Sequence, residues 1–315
     1  MADTDNILVI GANGQIGTEL VVELRRRVGD IKVFATDVKD ANQVLKDSGH
    51  FEKLDVLDRE ALTGILRKNK IKQVYQLAAL LSATSEQKPI AAWRLNMEGL
   101  LNILNAALDL NIPKVFWPSS IAAFGPHTPA DQTPQYTIMD PNTVYGISKL
   151  AGEGWCDYYF QKKGLDVRSI RYPGLISYKT PPGGGTTDYA VEIFHEAKRS
   201  NSYTSFLQEN TRLPMMYMQD AIRGTIELME APADQISVRT SYNFSAIDFT
   251  PAELAGSIKN HLPQFTIDYK PDFRQTLADS WPNSIDDSYA RNDWGWKHEF
   301  DLDKMVADML QNVSV

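Results

Sequence analysis

The sequence predicts an α/β fold in which a doubly wound parallel sheet is followed by a smaller C-terminal α+β lobe. In the first half of the chain, short apolar runs alternate with longer helical patterns, which is typical of consecutive βαβ units. After Arg171 this alternation loosens into loops, short strands and helices. The chain has 315 residues, of which 43% are hydrophobic, enough for one large domain with a smaller appended lobe.

The predicted elements of the first half are strands of about five residues separated by amphipathic helices. The run Asn6–Ile10 is the first strand, and the helix after it repeats an apolar residue every four positions from Ile16 to Val28. Right-handed crossovers would place such helices on both faces of the sheet. The other predicted elements are the strands Lys32–Thr36, Lys72–Leu77, Lys114–Pro118 and Asp166–Ile170 and the helices Asn96–Leu110 and Tyr145–Phe160.

The second half begins with a proline- and glycine-rich loop, Pro181–Gly185. Thr250 and Glu253 form a capping-box pattern with proline at the first helical position. The remaining predicted elements are the helices Tyr189–Arg199, Asp220–Glu230 and Leu302–Leu310 and the strand Tyr242–Phe244. We therefore expect one domain over residues 1–176, with 217–248 returning to it, and a lobe made of 177–216 and 249–315.

Charge and composition narrow the class of protein. A net charge of −8 argues against nucleic-acid and anionic-membrane partners, because an acidic surface repels polyanions. Cys156 is the only cysteine, which excludes intrachain disulfides and thiolate metal clusters, and the five histidines lack metal-ligand spacing. The start Met1–Asp5 lacks the apolar stretch of a signal peptide. We expect a cytoplasmic protein without a metal.

A glycine-rich turn lies directly between the first strand and the first helix, at Gly11–Gly17. Gly11 permits a tight turn, Gly14 allows the backbone to approach a pyrophosphate, and Gly17 allows close packing of helix on strand. The helix N-terminus adds N–H groups and positive potential. Such a triplet also occurs in ordinary turns, but here its place in a βαβ unit predicts a dinucleotide-binding Rossmann domain.

Asp37 stands at the end of the second predicted strand, twenty positions after Gly17. Its carboxylate is placed to accept hydrogen bonds from the adenosine ribose hydroxyls, and it would repel a 2′-phosphate. No arginine follows it in Val38–Asp40. The alternative is a solvated loop acid. The pattern favours NAD over NADP.

The segment Tyr145–Lys149 places a phenol and an ammonium four residues apart, on one helix face. A free phenol has a pKa of about 10 and is a poor base at neutral pH. A neighbouring cation favours the phenolate, which would make Tyr145 an acid/base catalyst assisted by Lys149. A surface helix pair is the alternative for this spacing alone.

Ser119 and Ser120 end the predicted strand Lys114–Pro118. In a doubly wound sheet, ligands bind outside the carboxyl ends of the strands, so a hydroxyl here is placed to hold a substrate oxygen against Tyr145. Serine is also common at turns, which is the alternative. The glycine turn, the distal acid, the strand-end serine and the Tyr/Lys pair together indicate an oxidoreductase.

These motifs resemble the extended short-chain dehydrogenase/reductase family over the whole chain. The resemblance implies that Asp55 and Val56 bracket the adenine, that the Ala78–Ala79 turn lines the cofactor cleft, and that Tyr172–Gly174 passes the nicotinamide. It implies that NAD is bound by Gly11, Asn13, Gly14, Gln15, Ile16, Gly17, Asp37, Asp55, Val56, Leu77, Ala78, Ala79, Asn96, Tyr145, Lys149, Tyr172, Pro173, Gly174 and Ile176.

Within that family, the stretches 118–126, 171–177, 183–190 and 213–218 are similar to the short-chain type of L-threonine 3-dehydrogenases, a group related to UDP-sugar epimerases. This resemblance implies oxidation of L-threonine with NAD and a homodimer formed through a four-helix bundle of the helices Asn96–Leu110 and Tyr145–Phe160. The implied catalytic residues are Tyr145, Lys149, Ser120 and Ser119. The implied substrate-binding residues are Ser82, Ser119, Ser120, Tyr145, Gly185, Thr186, Thr187, Asp188 and Trp281.

A purely structural role is the alternative for several of these residues. Asp188 is also a candidate cap for the helix that starts at Tyr189, and a tryptophan such as Trp281 is more often a core residue than a site residue. Cys156 is expected to be a small packed residue, and the run Arg25–Arg27 a solvated helix face.

Two other functions fit parts of the pattern. A sugar-nucleotide epimerase or dehydratase would share the acid/base residues but would need basic residues to bind a diphosphate. The loops of the second lobe have few basic residues, and Arg212 and Arg171 are the exceptions. A non-catalytic NAD-sensing protein would have no need of Ser120, Tyr145 and Lys149.

Overall fold

The computed structural model describes residues 5–182 and 185–314, apart from the side chain of Ala83. Gly183 and Gly184 of the predicted loop and the first four residues lie outside the described residues. The strands are β1 (Asn6–Ile10), β2 (Val33–Asp37), β3 (Phe51–Lys53), β4 (Ile71–Gln76), β5 (Lys114–Ser120), β6 (Asp166–Tyr172), β7 (Gly174–Ile176), β8 (Ser202–Ser205), β9 (Leu213–Tyr217), β10 (Tyr242–Asn243), β11 (Ile247–Phe249) and β12 (Thr266–Tyr269).

Thirteen α-helices connect these strands in the described part of the chain. They are α1 (Gln15–Val28), α2 (Gln43–Ser48), α3 (Arg59–Lys68), α4 (Ser82–Gln87), α5 (Pro89–Trp93), α6 (Gly99–Asp109), α7 (Val144–Lys163), α8 (Tyr189–Ser200), α9 (Met218–Glu230), α10 (Pro251–His261), α11 (Arg274–Ala278), α12 (Ser288–Trp294) and α13 (Leu302–Asn312).

Seven strands form a sheet in the order β10-β6-β5-β4-β1-β2-β3. β1 pairs in parallel with β2 and with β4, and the pairs β2–β3 and β4–β5 are also parallel. With helices between successive strands, this is the predicted Rossmann-like α/β fold, and the fold prediction is confirmed. Among the described residues, no helix combines the length and apolar character needed to cross a membrane.

The chain divides into two compact units. The first comprises the residues up to Ser119 together with Thr143–Ile170 and Thr225–Ser241. Its core lies between strands and helices of the βαβ units, because the apolar residues of α3, α6 and α7 repeat on the helix faces that meet the sheet. That core includes Leu8, Val74, Val115, Val167, Leu62, Leu66, Leu100, Leu104 and Cys156.

The second unit comprises Ser120–Asn142, Arg171–Gly224 and the residues from Tyr242 onward. It contains a three-stranded sheet of order β11-β9-β7 and a parallel pair of β8 with β12. Its α10 starts with the predicted capping box, in which Thr250 accepts from the Glu253 N–H and Glu253 accepts from the Thr250 N–H. Its core includes Tyr189, Phe194, Tyr217, Phe249, Leu254 and Met305.

Two predicted elements differ from the observed ones near the functional residues. β5 continues through Ser119 to Ser120, so both serines are strand residues. The predicted helix Asn96–Leu110 has its regular α-helical part only from Gly99, because Arg94–Glu98 forms a π-helical turn. π-turns inside helices are frequent at functional sites, and this one carries Asn96.

Candidate active site

The glycine-rich turn joins β1 to α1 in a conformation that larger residues would not adopt. Gly11 has a φ of +82°, and a Cβ on it would lie 2.6 Å from the Ala78 backbone nitrogen. A Cβ on Gly17 would collide with the Gly11 carbonyl oxygen. The N–H groups of Gly11 and Ala12 both donate to the Thr36 carbonyl of β2. The turn is therefore closed tightly at the N-terminus of α1, where backbone N–H groups favour an anion.

Asp37 is buried at the end of β2 beside this turn. Its two carboxylate oxygens accept from the backbone N–H groups of Asn13 and Lys39, each at 3.0 Å. Asn13 in turn accepts from the Asn42 N–H and donates to the Asp40 carbonyl. A carboxylate has about four acceptor positions, so Asp37 keeps capacity for two ribose hydroxyls. The site therefore fits NAD.

Asn96 holds the turn that follows β4. The Leu80 N–H donates to Asn96 Oδ1 at 2.9 Å, and Asn96 Nδ2 donates to the Leu80 carbonyl at 3.1 Å and to Ser148 Oγ at 3.2 Å. The Leu77 N–H donates to the Ile10 carbonyl of β1. The segment Leu77–Leu80 is thus fixed from both sides, between the glycine-rich turn and α7.

Tyr145 and Lys149 lie on the first turns of α7, which begins with a hydrogen bond from the Gly146 N–H to Thr143 Oγ1. Lys149 is buried, and its Nζ lies 5.3 Å from the ring centroid of Tyr145. Nζ donates to the Pro118 carbonyl at 2.5 Å. Burial lowers the pKa of Lys149 to about 7, whereas Cys156 and Glu153 act in the opposite direction.

The two strand-end serines have different surroundings. Ser119 is buried, and its hydroxyl donates to Glu153 Oε1 at 2.6 Å. Ser120 is half-buried, and its Oγ accepts from the Ala122 N–H at 3.2 Å at the start of the short turn Ile121–Ala123. Sequence reasoning missed Glu153, although its place four residues after Lys149 on the same helix face was a usable signal.

In the second unit, the structure brings together two of the segments predicted to act on the ligands. A Cβ on Gly174 would lie 2.8 Å from Thr187 Cγ2, so Gly174 packs against Thr187 of the Thr186–Asp188 turn. Asp188 accepts from the Gly185 N–H at 2.8 Å, which closes this turn. Thr186 is buried, and Thr187 is half-buried.

The other predicted residues are distributed along the fold. Trp281 is half-buried and packs against the cluster formed by Ile121, Phe124 and Ile285. Ser82 is the first residue of α4, and Ile176 ends β7. Asp55 is exposed and accepts from the Leu57 N–H, and Val56 is buried against Gly99. Among the residues that the structure describes, no group of acids, histidines and cysteines would hold a metal ion.

Comparison with known proteins finds a matching family and similar proteins. The family model of the NAD-dependent epimerase/dehydratase family matches residues 7–243. An uncharacterized epimerase/dehydratase of Staphylococcus haemolyticus is 48% identical over 98% of this chain and 98% of its own.

Solved structures that resemble this chain over nearly its whole length include two L-threonine dehydrogenases. One is a GalE-like L-threonine dehydrogenase from Cupriavidus necator in its holo form, with 57% identity and a TM-score of 0.96 over 98% of this chain and 100% of that one. The other is a monomeric L-threonine 3-dehydrogenase of metagenomic origin in its apo form. It has 50% identity and a TM-score of 0.93, and the match covers 98% of each chain.

Proposed function

This chain belongs to the NAD-dependent epimerase/dehydratase family, and we propose that within it the protein is an L-threonine 3-dehydrogenase. The proposed reaction oxidises the 3-hydroxyl of L-threonine and yields 2-amino-3-oxobutyrate. The observation that carries this proposal is the similarity, over 98% of the chain, to a solved holo L-threonine dehydrogenase. The placement of Tyr145 and Lys149 on α7 supports it.

Bound NAD would supply the oxidant of this reaction, because a nicotinamide ring can take up a hydride from C3 of the substrate. The Gly11–Gly17 turn would hold the pyrophosphate at the N-terminus of α1, and Asp37 would bind the adenosine ribose. Asp55 and Val56 would flank the adenine. Leu77–Ala79, Asn96 and Tyr172–Ile176 complete the set of residues proposed to bind the cofactor.

Tyr145 is the proposed base. As a phenolate it would take the proton of the 3-hydroxyl while the C3–H bond breaks, leaving the carbonyl of the product. Lys149 would favour the phenolate by its charge and bind the nicotinamide ribose. Ser120 would donate a hydrogen bond to the same substrate oxygen and stabilise the negative charge that develops there.

The rest of the proposed substrate contacts come from the predicted set. The N–H and hydroxyl groups of Thr186 and Thr187, in the turn that Gly185 opens, would bind the threonine carboxylate, because this turn precedes the N-terminus of α8. Asp188 already accepts the Gly185 N–H, so we assign it the task of shaping this turn. Ser82 and Trp281 remain proposed contacts of the substrate.

A sugar-nucleotide epimerase or dehydratase is the second candidate, favoured by the similarity to the epimerase/dehydratase of Staphylococcus haemolyticus. Such an enzyme would need cationic side chains for a diphosphate. Arg212 forms ion pairs with Asp248 at 2.8 Å and Glu253 at 2.5 Å. Arg171 is buried and donates to Asn243 and to the Gln135 carbonyl. Both arginines are engaged locally, which favours the small amino acid. A non-catalytic NAD sensor is disfavoured because Ser120, Tyr145 and Lys149 are all present.

We also propose a homodimer formed through α6 and α7. On α7, three apolar side chains, Ile147, Trp155 and Tyr158, are exposed, and their spacing places them within one face of the helix. Leu101 and Leu108 of α6 are only partly buried. An exposed apolar face of this kind marks a protein interface. The cytoplasm is the proposed location, because a lone packed cysteine suits a reducing compartment.

The test is NADH formation from NAD and L-threonine, with D-threonine, L-serine and UDP-galactose alongside. Turnover restricted to L-threonine supports the proposal. Turnover of another alcohol alone would replace L-threonine by that alcohol as the substrate. Conversion of UDP-galactose with tightly retained NAD would replace the dehydrogenase assignment by that of a sugar-nucleotide epimerase. NAD binding without turnover of any member of the panel would favour the sensor.

A further inference from the structure

Three successive residues at the end of β5 contact a single turn of α7. The Pro118 carbonyl accepts from Lys149 Nζ at 2.5 Å, and the Ser119 hydroxyl donates to Glu153 at 2.6 Å. The Trp117 ring lies 4.5 Å from Lys149 Nζ. On the same helix turn, Gly152 lets the Trp117 ring approach, since a Cβ there would collide with it. Strand and helix are therefore locked in one register by side chains that are almost entirely buried.

The groups that face Lys149 come from two elements. From its own helix these are the Tyr145 ring, 5.3 Å from Nζ, and Glu153 and Cys156, which lie four and seven residues after Lys149 at spacings that place them on the same helix face. From β5 they are the Trp117 ring and the Pro118 carbonyl. Burial raises the pKa of the Cys156 thiol, so this sulfur is neutral at ordinary pH. Glu153 is therefore the carboxylate that opposes the ammonium in this set.

We propose that Glu153 is a positioning residue of the reaction: its buried carboxylate fixes Ser119 at the end of β5 and keeps Lys149 cationic beside Tyr145. This inference rests on the proposed dehydrogenase function, in which Tyr145 is the base. It also assigns Ser119 to positioning, because its hydroxyl is directed to Glu153. Ser120 remains the serine proposed to meet the substrate.

The effect of Glu153 on Tyr145 passes through Lys149. Glu153 lies four residues from Lys149 and eight from Tyr145, which is about 6 Å and about 12 Å along the helix axis. Attraction between opposite charges falls with distance, so Glu153 acts more strongly on the ammonium than on the phenol. Removing its charge makes Lys149 lose its proton more easily, and a neutral Lys149 no longer favours the phenolate.

The decisive variant is Glu153→Gln, which keeps an oxygen acceptor for Ser119 and removes the charge. In this variant, the pH below which kcat/KM for L-threonine declines (the acidic limb of the profile) should rise by roughly one unit. At pH values below this limb, kcat/KM should therefore be about tenfold lower than in the wild type. Ser119→Ala keeps the charge and removes the hydrogen bond. We expect it to lower kcat severalfold with a smaller shift of the limb.

The matched control is Asp157→Asn, which removes one negative charge from α7 one turn beyond Glu153. Asp157 is half-buried, and its profile should coincide with that of the wild type. A Glu153→Gln enzyme with a wild-type limb and a uniformly lower rate would show a purely structural role and overturn the inference. An equal shift in Asp157→Asn would overturn it as well, because the effect would then be one of net charge.

Failure of the proposed function is separable from failure of this inference. If the wild type oxidises another alcohol of the panel and not L-threonine, the same profiles are measured with that alcohol. If nothing is oxidised, the tyrosinate absorbance that is present in the wild type and missing in Tyr145→Phe reports the phenol directly. Its titration should move to higher pH in Glu153→Gln, and an unchanged titration would refute the role of Glu153.

Discussion

Asn96 and Ser148 share a buried hydrogen bond of 3.2 Å although they are 52 residues apart in the chain. The same Asn96 amide also exchanges two hydrogen bonds with the Leu80 backbone. One side chain therefore ties the turn after β4 to the helix that carries Tyr145 and Lys149. The geometry of the proposed nucleotide site and that of the proposed base are coupled through it.

Asn96→Ala should lower the stability of the fold and weaken the binding of NAD. It removes the partner of the half-buried Leu80 N–H, whereas the Leu80 carbonyl keeps its hydrogen bond from Ser85 Oγ, so the loss of folding free energy should be about 1–2 kcal/mol. The looser Leu77–Leu80 turn should raise the KM for NAD severalfold. Urea unfolding and initial rates measure the two effects. In the control Asn105→Ala, which removes the acceptor of the Tyr159 hydroxyl on α6, the KM for NAD should stay unchanged. An unaltered KM in Asn96→Ala would contradict the coupling.

Asp37→Asn should relax the preference for NAD. A hydrogen bond to a charged group contributes about 1.5–3 kcal/mol, so kcat/KM for NAD should fall about tenfold or more. Activity with NADP should rise, because the charge that repels its 2′-phosphate is gone. Asp40→Asn, at an exposed acid paired with Lys53, should change neither value. An Asp37→Asn enzyme that still rejects NADP would show that other residues exclude the phosphate.

The fold could be predicted because its signals are local. β1 is Asn6–Ile10 as predicted, and α1, α8 and α10 begin at or within a residue of the predicted positions. Apolar periodicity and the Thr250 capping box carry that information in a few neighbouring residues. The π-helical turn at Arg94–Glu98 was not predictable in this way, because apolar periodicity does not distinguish a single π-turn from regular α-helix.

Side-chain partners were harder to predict, since they depend on which elements meet. Arg25 was expected on a solvated helix face, and this expectation is wrong for that residue. Arg25 is buried and donates to the Ser48 hydroxyl and the His50 carbonyl at 2.6 Å each. Arg26 and Arg27 do pair with Glu23 on the outer face. The hydrogen bond between Glu153 and Ser119 was missed for the same reason, because Ser119 lies on a strand.

Tyr145→Phe should abolish turnover and leave NAD binding nearly unchanged. The substitution removes only the hydroxyl, so the ring keeps its place 5.3 Å from Lys149. NAD affinity is measured by calorimetry and turnover by NADH formation. As a matched control, Tyr158→Phe changes an exposed tyrosine of the same helix and should retain full activity. A joint loss of binding and activity in Tyr145→Phe would point to a structural role for the tyrosine.

Trp155 and Tyr158 offer a test of the proposed dimer. Both are exposed and in edge-to-face contact with each other on α7. Replacing Trp155 by Arg would place a charge in a buried interface, and dimers should dissociate to single chains in sedimentation experiments. Phe273→Arg, at an exposed aromatic of the second unit, is the control and should leave the mass unchanged. A wild type that sediments as a single chain would remove the dimer proposal and match the monomeric relative.

Lys149 should make stability depend on pH in a defined direction. Burial lowers its pKa from 10.5 to about 7, so between about pH 7 and about pH 10 the unfolded chain binds more protons at this residue than the native one. The free energy of unfolding therefore rises with pH across that window, and the cost of burying the ammonium is full below it.

Lys149→Met cannot titrate and should lack this rise, so the wild type should gain stability relative to it as the pH increases. Urea unfolding at several pH values measures the difference, with the exposed Lys162→Met of the same helix as control. Parallel curves for the wild type and Lys149→Met would mean that Lys149 keeps its ordinary pKa.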